Sequence, residues 1–309
     1  MRIWWHLRTL SMFTFLTIML VAFGALVSYF FAGNILLGTG IMIIVSLTVC
    51  FISYYKSKDL ALWSSRAKII SEFENPRLFS IVREVSQKAG VPMPEIGISP
   101  EISPNAFATG RNPKNAAVVC TRGLLNLLPD DELRGVIAHE MSHVKNRDIL
   151  VMSIASALSS IISYIARMTM WLALFAPSNG RDNQTKMLFL IVAAVAQILV
   201  PLAAIIIQLG ISRSREYLAD ETGAMMIRDP RSLARALAHL ERGNAEAQAY
   251  RAKKEDDGRR NPANDYDYAH MWIVNPLKKG SIIARLFSTH PPMEERIERL
   301  NKMADRMGL

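Results

Sequence analysis

The stretch Leu133-Arg-Gly-Val-Ile-Ala-His139-Glu140-Met-Ser-His143-Val-Lys-Asn-Arg-Asp148 carries the spacing from which the rest of the chain can be read. On an α-helix, positions four apart lie about 40° apart around the axis and one turn apart along it. His139 and His143 therefore project side by side and can share one metal ion. Glu140 points to a neighbouring side, where it can take a proton from a water activated by that ion without being a ligand itself. Leu133, Val136, Ile137, Met141 and Val144 form an apolar stripe. The histidines lie roughly 100° from its centre, at the edge of a packed face. Two surface histidines beside a glutamate would satisfy the same spacing, so residues elsewhere in the chain must separate the two readings.

Upstream of this helix, Pro129 with Asp130 and Asp131 marks its start, the acids suiting the positive end of the helix dipole. Leu60 to Glu72 and Pro76 to Ala89 read as helices, the second with Leu78, Ile81, Val82 and Val85 at helical spacing. Val91 to Pro100 holds too many prolines for a helix and suits a short strand. Asn105 to Thr109 and Ala116 to Thr121 are further strand candidates, so a small sheet laid against helices is expected.

Half of the 309 residues are hydrophobic, and they are unevenly spread. Four apolar runs, Leu10 to Ala32, Leu36 to Tyr55, Ile149 to Ala176 and Met187 to Leu209, are each long enough to cross about 30 Å of hydrocarbon. The third contains Arg167, which can snorkel to the headgroups. The division expected is an N-terminal transmembrane hairpin (1–55), a soluble part with the histidine helix (56–148), a second transmembrane or membrane-associated hairpin (149–209) and a second soluble part (210–309).

The net charge of +9 fits membrane topology more economically than nucleic-acid binding. Arg2, Arg8, Lys56, Lys58, Arg66, Lys145, Arg147, Arg213 and Arg215 flank the runs on one side, as expected of a cytoplasmic face. Cys50 in an apolar run and Cys120 in a strand imply no disulfide framework, which agrees with a reducing compartment. The first run is too long for a signal-peptide core and reads as an uncleaved anchor.

A catalytic zinc takes three protein ligands and keeps one position for water, so the histidines need a partner, commonly a carboxylate. In Ser212-Arg-Ser-Arg-Glu216-Tyr-Leu-Ala219-Asp220-Glu-Thr-Gly223, Glu216 and Asp220 share a helix face with Ala219 and Gly223, small residues that permit close approach to another helix.

With these motifs, the flanking apolar runs and Ser288-Thr-His290-Pro-Pro near the end, the chain resembles the HtpX family of membrane-bound zinc metalloproteases. Its soluble core is similar to that of the prenyl-protein CAAX protease. The resemblance implies a mostly α membrane protein, transmembrane helices plus a zincin-like α+β metalloprotease domain with a small sheet. It implies one Zn2+ per chain on His139, His143 and Glu216, with Glu140 as general base and then proton donor to the leaving amine. Asp220 would orient a zinc-binding histidine. Asn105 matches the edge-strand position that holds substrate backbone, and His290 and Arg296 would stabilise the oxyanion.

The activity implied is an endopeptidase acting on misfolded or exposed protein segments, in quality control and stress response at the bacterial inner membrane, multi-pass and with the protease domain facing the cytoplasm. Its partners are protein substrates and the bilayer, with no nucleic acid. His6, His239 and His270 lack motif partners and read as structural, and Gly243 to His270 reads as a mobile loop over the cleft. An intramembrane protease would place the motif inside an apolar segment, whereas Arg134, Lys145, Arg147 and Asp148 flank it here. A membrane scaffold or chaperone with structural zinc would favour four ligands, cysteines among them.

Overall fold

The computed structural model describes residues 35–151, 213–256 and 291–309, together with 14, 17, 18, 21, 187, 191 and 194. Runs one, three and four lie outside the described residues apart from isolated positions and Ile149 to Val151. In chain order the elements are α1 (Ile35–Ser64), β1 (Lys68–Ile69), α2 (Pro76–Ala89), β2 (Glu95–Ser99), β3 (Ala106–Gly110), β4 (Ala116–Thr121), α3 (Arg122–Leu127), α4 (Asp130–Asn146), α5 (Arg213–Ile227), α6 (Pro230–Asp256) and α7 (Met293–Arg306).

The second apolar run forms most of α1. That helix bends by 75° between Thr39–Val49 and Tyr54–Ser64, and neither Pro nor Gly occupies the break. Among the described residues, no single helix is long and apolar enough to cross a membrane. The two arms of α1 reach that length and composition only together.

The reading of Leu60 to Glu72 as a helix is corrected. Helix α1 stops at Ser64, and Arg66 adopts the left-handed conformation (φ 52°) that turns the chain. Lys68 and Ile69 then pair antiparallel with β2 opposite Ile98 and Gly97, and the Ile70 N–H donates to the Ile96 carbonyl. The stretch follows pairing offered by β2, which local helix propensity cannot anticipate.

Helix α2 begins where Asn75 accepts a hydrogen bond from the Leu78 N–H and Pro76 opens the first turn, and it ends at left-handed Gly90. The sheet has the order β1-β2-β4-β3, with β2 and β4 parallel and the other pairs antiparallel. The strands expected at Asn105 to Thr109 and Ala116 to Thr121 are present to within a residue, and the one expected in Val91 to Pro100 is confined to Glu95–Ser99. On one face of the sheet, Phe107 and Val119 pack against Ala61 of α1. On the other, Ala106, Ala108, Val118 and Cys120 join a core with α2, α4, α5, α6 and α7.

Helix α4 lies at the centre of that core. Its stripe residues Leu133, Val136, Ile137, Met141 and Val144 are fully buried, and so is the opposite side from Gly135 to His143. The helix is surrounded rather than laid on a surface. The reason is visible in two glycines. A Cβ on Gly135 would sit 2.9 Å from the Leu233 backbone of α6, and one on Gly223 of α5 would sit 2.9 Å from the backbone at Ala138 and His139. Both helices touch α4 nearly backbone to backbone.

The mobile-loop reading of Gly243 to His270 is corrected for its first half, where α6 continues to Asp256. Ala245, Ala247, Ala249 and Ala252, interleaved with Glu, Gln, Lys and Arg, are strong helix formers. Gly243 fits against Leu127 and Pro104, and buried Asn244 donates to the carbonyls of Pro104 and Leu240. Residues 257–270 lie outside the described residues.

Candidate metal centre

His139 and His143 stand one turn apart on α4, with ring centroids 4.9 Å apart and planes at 88°. Helix α5 crosses them closely because Ala219 and Gly223 present almost no side chain, and this approach delivers Glu216. Nε2 of His139 lies 3.6 Å from Glu216 Oε2, and Nε2 of His143 lies 3.4 Å from Glu216 Oε1. One donor atom from each of the three residues falls within 4.8 Å of the others, and all three side chains are buried.

Among the described residues, neither buried Nε2 atom has a hydrogen-bond partner. Leaving such atoms unsatisfied is costly, and one divalent ion among them removes the cost. Charge balance points the same way. Burial opposes a charge on His139, yet its hydrogen bond to Asp220 and then the nearby Glu216 carboxylate outweigh it and push the imidazole up to about 10. His143 is also raised, burial being overcome by its hydrogen bond to Asp148 and the charge of Glu216. The carboxylates call for positive charge between them, and a cation supplies it in place of protons. Two imidazole nitrogens and a carboxylate are a donor set that zinc takes in catalytic sites with a position left for water.

The opposite ring nitrogens are held by acids. Nδ1 of His139 lies 2.9 Å from Asp220 Oδ1. Nδ1 of His143 lies 3.0 Å from Asp148 Oδ2. With Nδ1 donating, each Nε2 keeps its lone pair for a metal. The Asp148 contact was not anticipated, because the sequence presents Asp148 simply as one of several charges after the motif.

Glu140 is buried beside the donors, and its Oε2 accepts a 2.8 Å hydrogen bond from the Ala108 N–H. Among the described residues β3 is an edge strand of the sheet, and it packs along α4 next to Glu140. Asn105 is buried immediately before β3, where its N–H donates to Thr121 Oγ1 and its carbonyl accepts from the Thr121 N–H.

Arg296, the expected oxyanion donor, is placed against Asp220. Its guanidinium is fully buried behind His139, with Nε and Nη2 donating to Asp220 at 2.8 and 2.7 Å and Nη1 directed at Met293 Sδ. Nη2 also comes within 3.5 Å of His139 Nδ1, on the side of the ring away from Nε2. Burial works against the Arg296 charge, but Asp220 more than compensates and raises its pKa. For Asp220 burial is likewise opposed by Arg296, which holds the carboxyl below its usual range. From α7 the fork thus meets Asp220. His290 lies outside the described residues.

His239 donates or accepts at 2.6 Å with Glu132 across α6 and α4, away from the donors. Cys120 is buried in β4 with its thiol pushed up by burial, a small apolar filler rather than a nucleophile.

The model of Peptidase family M48 matches residues 72–304, from just before α2 to the end of α7. Curated relatives named "Protease HtpX homolog" include one from Thermococcus sibiricus, 45% identical over 98% of this chain and 97% of its own length. One from Persephonella marina is 47% identical over 96% and 99%, and one from Methanocaldococcus jannaschii 48% identical over 87% and 89%. The matched region contains every donor described above. The chain belongs to peptidase family M48 and is a metallopeptidase.

Proposed function

We propose that this metallopeptidase is a zinc-dependent endopeptidase that cuts exposed or misfolded protein segments at the cytoplasmic surface of a cell membrane. The observation that carries the proposal is the meeting of His139, His143 and Glu216 within 4.8 Å beside the buried carboxylate of Glu140.

His139, His143 and Glu216 would hold the ion, which when bound lowers the pKa of water toward neutrality and polarises the scissile carbonyl. Glu140 takes the proton from the attacking water and returns it to the leaving amine. The Ala108 N–H holds Glu140 in place for that transfer, at 2.8 Å. A substrate in extended conformation would lie alongside β3, with Asn105 at the head of that strand holding its backbone. This favours unfolded segments, because a folded domain offers no single strand of that length. His290, with Arg296 committed to Asp220, is the side chain left to stabilise the oxyanion.

Membrane attachment is supported by α1, which exposes Leu36, Ile44, Leu47 and Phe51 at 61 to 83%. It is also supported by the contact of α4 with α5, which brings the start of run three and the chain after run four to one place. On this proposal runs three and four begin and end on one side of the membrane. Labelling of a Ser178→Cys variant from outside intact cells tests whether they cross. Protection of that cysteine alongside a labelled external control would count against a crossing.

The chemical test uses full-length protein in detergent. Glu140→Ala should retain about one zinc per chain while casein cleavage falls by about 10²–10⁴-fold. Glu216→Gln should lose both zinc and cleavage. Undiminished hydrolysis by Glu140→Ala, or undiminished zinc content in Glu216→Gln, contradicts the assignment.

A further inference from the structure

Resting on the metal-site reading above, we infer that Asp148 and Arg215 are positioning residues for the reaction, a second orienting pair that fixes His143 and Glu216 together. On a helix continuing past His143, the side chain five positions on would point about 140° away around the axis and could not return to the imidazole. Here Arg147 adopts the left-handed conformation (φ 62°) and closes α4, its N–H donating to the carbonyls of His143 and Val144. The turn swings Asp148 back, and its Oδ2 lies 3.0 Å from His143 Nδ1. The other oxygen, Oδ1, accepts from Nη1 of Arg215, which comes from α5. Asp148 is buried at 3% exposure, so both oxygens are committed inside the protein.

Arg215 immediately precedes Glu216. The ion pair thus joins the end of the helix carrying two donors to the start of the helix carrying the third. It parallels the arrangement at His139, where Arg296 grips Asp220 and Asp220 holds Nδ1. Each histidine is aimed by an acid, and each acid is aimed by an arginine. Asp148 also stands directly before Ile149, where the third apolar run begins, so any displacement of that root reaches His143 through a single side chain.

The test strips full-length protein of metal in detergent and titrates it with Zn2+ and Co2+. Asp148→Asn should weaken binding of both ions by about 10–100-fold and shift the visible absorption of the Co2+ form, because the ring is no longer held in one orientation. Arg215→Gln should move affinity and spectrum the same way, and Arg215→Lys, which keeps a charge at the site, should lose less. The double variant Asp148→Asn/Arg215→Gln should bind no worse than the weaker single, as members of one chain do. In turnover, kcat should fall with KM nearly unchanged. A purely structural pair would lower the unfolding temperature and leave the affinity and spectrum of the folded protein alone. If Asp148→Asn fails to fold, Arg215→Gln alone decides. Binding and spectra equal to the parent in the folded variants overturn the positioning role and leave the metal centre intact. A parent that takes up no ion overturns both.

Discussion

At the scale of single residues, the chemistry rests on side chains that would be unfavourable anywhere else in a core. Arg296 is fully buried, and its two hydrogen bonds to Asp220 do most to make that tolerable. Removing one member strands the other: Arg296→Met should cost about 3–5 kcal/mol in denaturant unfolding of the metal-free protein, while Arg296→Met/Asp220→Leu should recover most of it. A single variant as stable as the parent would show that Asp220 finds another partner. The double variant should still bind zinc less tightly, because His139 Nδ1 then has no carboxylate beside it. The family resemblance pointed to Asp220 as an orienting acid and to Arg296 as an oxyanion donor, and the structure places the two in contact. Spacing along α7 reveals that Arg296 shares a buried face with Met293 and Leu300. It does not reveal what waits opposite.

At the scale of elements, the active-site spacing depends on two helices touching without side chains between them. Gly223→Ala puts a Cβ at 2.9 Å from the backbone of Ala138 and His139, so α5 must retreat by a few tenths of an ångström. The expected result is a stability loss of about 1–3 kcal/mol. It comes with weakened zinc affinity, since Glu216 and Asp220 ride on the same helix. A variant that loses stability but binds zinc as the parent does would show that α5 pivots away from its donor end. The element-level misreadings share a cause. Leu60 to Glu72 carries a helical pattern, but its second half is taken by pairing to β2. The Gly243 stretch reads as a loop through its Gly and Asn, yet Gly243 is needed where α6 passes Leu127 and Pro104, and Asn244 is satisfied by two carbonyls.

At the scale of the whole molecule, the metal centre is also a linkage between stability and pH. In the metal-free chain His139 titrates near 10, against about 6.5 when unfolded, so its contribution to stability is present below about pH 6.5 and is lost as pH rises toward 10. The metal-loaded chain behaves oppositely, because protons compete with the ion for the histidines. Chelation should therefore lower Tm more at about pH 9 than at about pH 6, with proton uptake on metal removal. An equal Tm loss at both values would mean that the histidines do not exchange protons for metal. How far all this is legible in the chain follows from range. His139, Glu140 and His143 lie within five positions, where the helix repeat alone sets their relation, and Glu216 with Asp220 repeats that local logic seventy residues on. The apolar runs and the three main strands are likewise local patterns of period and composition. What only tertiary structure decided are the contacts between distant segments: β1 joining the sheet, the Ala108 N–H meeting Glu140, Arg296 behind His139, and Arg215 holding Asp148. Each depends on where two backbones come to rest after packing, and side-chain spacing within one segment carries no information about that distance.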